Sequence, residues 1–120
     1  MHPAMESTPS RDDDRHRDAE ADALLETLLD SLLNDFAHWF IRGEELLAVC
    51  PDQVMAPDQR QAMAIRLEEG RKAIAATRAL IDASPQAMAV SMEAMGPWHQ
   101  LVTEVWALAA RVSQAARGTE

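Results

Sequence analysis

Between Asp22 and Val49 the positions Leu25, Leu29, Leu32, Phe36, Trp39, Gly43 and Leu46 return at alternating steps of four and three. That spacing follows the 3.6-residue turn, so the segment is predicted to be one long amphipathic helix. Leu28, Leu33, Phe40 and Leu47 lie beside this seam and widen it beyond the need of a two-stranded coiled coil. Such a helix is expected to pack against at least two neighbours. Asn34, Asp35, His38, Arg42 and Glu45 fall on the opposite face, and Pro51 stops the helix because it has no amide to donate.

The same rhythm returns twice. Pro57 and Asp58 form a helix start, with φ preset by the proline and the dipole met by the acid. Met63, Leu67, Gly70, Ile74, Thr77 and Ile81 then carry a second helix to about Ala83. Two helices of similar length joined by a short loop predict an antiparallel hairpin. Their charges agree: Asp22, Glu26, Asp30, Asp35, Glu44 and Glu45 on the first face Arg60, Arg66, Arg71, Lys72 and Arg78 on the second. Counting back from the loop places Gly70 near Phe36, Ala37 and Trp39, where a missing side chain makes room for aromatic bulk.

Ser84-Pro85 is a further start signal, for a short helix reaching Met95; Gly96-Pro97 is read as its end. From Trp98 the seam resumes at Leu101, Val105, Leu108, Val112 and Ala115, and the last helix closes near Arg117-Gly118. The expected fold is all-α: three long antiparallel helices plus one short connector helix, a small bundle over residues 22–117. Residues 1–21, polar and including Asp12-Asp13-Asp14, hold too little apolar surface to order themselves and are expected to form a disordered acidic tail.

Composition narrows the function. A chain of 120 residues that is 48% hydrophobic supports one core and not two. A formal charge of −9 repels a phosphate backbone, so nucleic acid is not an expected partner. Cys50 has no second cysteine to pair with, which suits a reducing, cytoplasmic setting; it reads as a small buried residue. No apolar run is long enough for a membrane span, and the N-terminal segment lacks the apolar stretch of a signal peptide.

Candidate chemistry is sparse. Met88, Met92 and Met95 share a helix face near His99, an arrangement that a soft copper ion could use. Methionines at helical spacing more often fill irregular gaps in a core, and no His, Cys or carboxylate stands at ligand spacing from His99. The stretch is therefore read as a structural corner, with Trp98 as its anchor and no metal assigned. His38, Asp35 and Arg42 share a polar face, which is read as a solvated cluster. No glycine-rich phosphate loop, nucleophile elbow or paired-cysteine motif is present, so no catalytic residue and no cofactor is expected. Trp39, Phe40 and Ile41 are consecutive and cannot all face one seam, and Trp106 sits on an edge shared with Val102 and Ala109. Some aromatic surface is thus expected to remain outside the core and to offer an interface.

The segments LLETLLDSLLNDFAHWFIRGEELL and GPWHQLVTEVW resemble a family of uncharacterised cyanobacterial proteins, a domain of unknown function. In that family a leucine-rich helix with a D-F-x-x-W-F core precedes a late P-W-H-Q-L-V-x-E-x-W motif. Pro97, Trp98, His99, Gln100, Leu101, Val102, Glu104 and Trp106 carry the late motif here. The resemblance implies a cyanobacterial origin and a cytoplasmic setting, brings a tetrapyrrole or photosynthesis-related partner into consideration by analogy alone, and assigns no catalytic residue. The expected function is a non-enzymatic helical interaction module that meets a protein partner or a second copy of itself. Its surface is expected to draw on Trp39, Phe40, Met88, Met92, Met95, Trp98, His99 and Trp106. The alternative is a binder of a small ligand, tetrapyrrole or metal in a cleft between helices, with His99 or His38 as the polar handle.

Overall fold

The computed structural model describes the backbone over residues 11–83 and 88–118, and the side chains over residues 15–83 and 95–118. Three helices make up nearly all of it: α1 (Arg11–Val49), α2 (Pro57–Ala83) and α3 (Met88–Gly118). No strand occurs among the described residues. The Ser84-Pro85 start signal lies outside them.

Contacts between named residues set the topology. Arg71 reaches Glu44 and Arg78 reaches Asp30, so α2 runs antiparallel to α1. Phe36 meets Trp98 and Trp39 meets Trp106, so α3 runs parallel to α1. The bundle is up-down-up, with α1 packed against both other helices while α2 and α3 meet least. The broad apolar seam of α1 has this as its cause: one helix serves two partners.

The core follows the predicted spacing closely in its middle. Leu29, Leu33, Phe36, Phe40, Leu46 and Leu47 from α1 pack with Met63, Leu67, Ile74 and Ile81 from α2 and with Met95, Trp98, Leu101, Val102, Val105 and Leu108 from α3. Two glycines allow the close approach. A Cβ on Gly70 would lie 2.6 Å from the Phe40 ring, and one on Gly43 would lie 2.8 Å from Val105 and 3.0 Å from Leu67. Gly70 therefore does accommodate an aromatic, but the ring is Phe40 and not Phe36 or Trp39.

Three features depart from the sequence reading. α1 begins at Arg11, inside the stretch read as tail, and not at Asp22. α3 is one helix through Gly96-Pro97, so no separate connector helix stands before it. Proline at position 97 cannot bond back to the carbonyl four residues earlier, and its ring crowds that carbonyl. The apolar phase nevertheless runs unbroken across it from Met95 to Trp98, both buried, and Gly96 removes the Cβ that would clash with the proline ring. Finally, Leu24, Leu25 and Leu28 are more than half exposed although Leu25 belongs to the predicted seam and Leu28 lies beside it. α2 ends at Ala83, close to the level of Glu26, and so offers nothing to cover Leu24 and Leu25.

The loop is held by arginines. Arg60 donates to the Cys50 carbonyl at 2.7 Å and to Asp52 at 2.6 Å, while Arg111 of α3 donates to the Val54 carbonyl. Val54 itself is buried, so the turn is tied to α2, to α3 and to the core.

Candidate interaction surface

The residues singled out by sequence separate into two groups. Phe40, Met95 and Trp98 belong to the core; Phe40 has no exposed area at all. They are not surface, and that corrects their inclusion in a contact face. The side chains of Met88 and Met92 lie outside the described residues. Trp39, His99 and Trp106 stay at the surface and line one edge where α1 and α3 meet.

Ring geometry orders that edge. Phe36 is the pivot beneath it, edge-on to Trp98 at 5.6 Å and to His99 at 4.9 Å. One turn further along α1, Trp39 meets Trp106 edge-to-face at 5.7 Å, and His38 abuts Trp39 at 5.2 Å. These separations suit the quadrupoles of the rings. Trp106 keeps 52% of its area exposed, so the pair is half a contact: its inner side packs on the bundle and its outer side meets solvent. Exposed Leu24, Leu25 and Leu28 extend apolar surface toward the start of α1. The periodicity concealed these leucines because spacing reports the face of a helix and not the length of its partner.

Elsewhere several charged residues are paired across the helices. Arg66 donates two bonds to Glu104, at 2.9 and 2.6 Å, joining α2 to α3. Those hydrogen bonds hold the Glu104 carboxyl below its ordinary range, against the opposing effect of burial, and raise Arg66 in turn. Arg71 is raised likewise by its hydrogen bonds to Glu44. Of the cross-helix pairing expected between α1 and α2, Arg71–Glu44 and Arg78–Asp30 form; Arg66 turns to α3, and Lys72 pairs with Glu68 on its own helix.

An open groove of about 710 Å³ runs between α1 and α2, bordered by Glu44, Leu47, Arg60, Ala64, Glu68 and Arg71. It lies away from His99 and the tryptophan pair, and both of its arginines already have partners. Among the described residues no group of three or more His, Cys, Asp and Glu side chains could hold a metal ion. No described helix is long and apolar enough to cross a membrane. Cys50 is buried where α1 ends.

Residues 19–114 match the family model described as a protein of unknown function (DUF2605). The chain belongs to this family. The match takes in most of α1, all of α2 and nearly all of α3, so the three-helix bundle is the family domain. Comparison with curated proteins and with solved structures finds no match.

Proposed function

We propose that this DUF2605 chain is a non-enzymatic helical interaction module, whose working surface is the aromatic edge between α1 and α3. The observation that carries the reading is the Trp39–Trp106 pair. Tryptophan is a costly residue to leave in water, and Trp106 is half exposed in a place where its inner face is already fixed by Trp39. A preset indole with an open outer face is the kind of anchor on which protein interfaces concentrate their binding energy. His99 is exposed beside the same edge, packed on Phe36. The leucine-rich core and the late P-W-H-Q-L-V-x-E-x-W motif support a cyanobacterial source and a cytoplasmic setting for this activity.

The test is capture from a native extract of the source organism, with the wild-type chain and Trp106→Ser compared as bait. A protein retained by the first and lost with the second is the expected result. Retention of the same proteins by both, together with a haem absorption band that His99→Ala removes, would replace this reading with the ligand-binding one.

A further inference from the structure

Every side chain from Arg15 to Leu28 is exposed, and Leu29 is the first buried residue of α1. A helical stretch with so little packed on it is marginal in water, and this one is not polar all round. Ala21, Leu24, Leu25 and Leu28 are neighbours across successive turns and form one apolar stripe. Asp18, Asp22 and Glu26 run beside the stripe at steps of four, and among the described residues none of the three has an ion pair. Like charges so spaced repel one another and weaken the helix that carries them.

The rest of α1 shows what this pattern meets. Asp30, the next carboxylate in the file, accepts from Arg78 of α2, and Glu44 accepts from Arg71. Between those two pairs the apolar seam of α1 packs in one core with Leu67, Ile74 and Ile81 of α2. The partner helix thus combines an apolar stripe with flanking arginines, and it ends at Ala83. At its end a hollow of about 90 Å³ gathers Glu26, Asp30 and Asp82, with Arg78 the one cation among its lining residues. The last turn of α2 carries no basic residue to meet the negative end of its own dipole.

We infer that the exposed start of α1 docks a helix of another protein with the chemistry of α2, an apolar stripe flanked by arginine or lysine. Leu28 lies about three turns of helix before Trp39, so this is a second surface and does not rest on the tryptophan-edge reading. Charge selects the occupant. Residues 11–28 hold seven carboxylates against Arg11, Arg15 and Arg17, which attracts a basic helix and repels a second copy of this chain or an anionic bilayer. The stripe selects the shape, because anchors three and four apart are matched by a second helix with the same spacing. Docking puts cations among Asp18, Asp22 and Glu26, relieving their repulsion, and takes Leu24, Leu25 and Leu28 out of water together. Salt screens the first of these contributions and leaves the second.

The probe is a labelled synthetic helix of leucine and arginine, about 18 residues long with its leucines three and four apart, titrated with the full chain and followed by fluorescence anisotropy. Binding is expected at about 10 µM in ~0.05 M salt and several-fold weaker in ~0.5 M. Leu25→Gln with Leu28→Gln should weaken it by about tenfold or more, while Ile41→Gln with Ile65→Gln, the same exchange at exposed positions elsewhere, leaves it unchanged. Asp22→Asn with Glu26→Gln should weaken it about threefold in low salt and flatten the salt dependence. Trp106→Ser should have no effect. Thermal unfolding of each variant confirms that the bundle is intact, since all the exchanged side chains are exposed. The inference is overturned by a peptide that does not bind, by equal binding to the Leu25/Leu28 variant, or by equal binding of a peptide with glutamate in place of arginine. Loss of binding with Trp106→Ser overturns it too, by moving the peptide to the tryptophan edge. So does a wild-type chain that sediments as a dimer and returns to 13.3 kDa with the two glutamines, which gives the stripe to a second copy. The tryptophan-edge reading is decided separately, by the capture experiment with Trp106→Ser.

Discussion

Gly70 and Phe40 show how much one hydrogen atom can decide. Alanine is the better helix former by about 1 kcal/mol, so on propensity Gly70→Ala should stabilise α2. Its methyl, however, would arrive 2.6 Å from a ring that is fully buried and cannot swing away. Overpacking of that kind costs typically ~1–3 kcal/mol. Gly70→Ala is therefore expected to lower stability by about 1 kcal/mol, or several degrees in melting temperature. Thermal unfolding of the single variants and of Gly70→Ala with Phe40→Leu checks the cause: the double variant should lose less than the two singles add up to, since leucine vacates the space of the ring. A Gly70→Ala protein that melts higher than wild type would show that the contact is not rigid. The need for a glycine opposite an aromatic was legible in the spacing; the choice of Phe40 was not, because counting from a loop fixes axial level but not helix rotation.

Helices raise a different question, the continuity of α3. Locally Gly96-Pro97 reads as a stop, and a short connector before it follows from sequence alone. In the folded chain Met95 and Trp98 are both buried on one continuous apolar face, and tertiary packing carries the helix through the proline. An interior proline costs a helix ~3 kcal/mol, whereas one at the first helical position costs nothing. Pro97→Ala thus separates the two arrangements. With a continuous helix it should stabilise the protein by about 1–3 kcal/mol in urea unfolding, the entropy gained by the unfolded chain taking back part of the benefit. No change, or a loss, would place the helix start at Pro97. α1 makes the complementary point at its other end, where the segment read as tail from its polar composition is helical from Arg11.

At the scale of the whole molecule, α2 and α3 meet least, and the Arg66–Glu104 pair spans them. Glu104 is held below its ordinary range, so its contribution is fully present above the pKa of an unfolded-chain glutamate and is lost as pH falls through the lower, folded value. Both side chains are more than a third exposed, and the contribution is accordingly kept to less than about 1 kcal/mol. Glu104→Gln should lower stability slightly at neutral pH, and the difference should shrink as pH falls through the lowered pKa and vanish once the carboxyl is protonated in both folded and unfolded chains. A stability gap that persists undiminished in acid would assign the effect to packing instead. The sequence by itself determined the helical class, the loop, the buried face of α2 and the middle of the core, because periodicity records which side of a helix meets carbon. It also showed that Trp39, Phe40 and Ile41 could not all be buried together. Tertiary structure alone decided that Phe40 goes in and Trp39 stays at the edge, that Arg66 turns to α3, and that Leu24, Leu25 and Leu28 lie largely uncovered. The reason is geometric: a repeat in the chain fixes angles about one axis, while rotation, register and the reach of each neighbour are set only when three helices share one core.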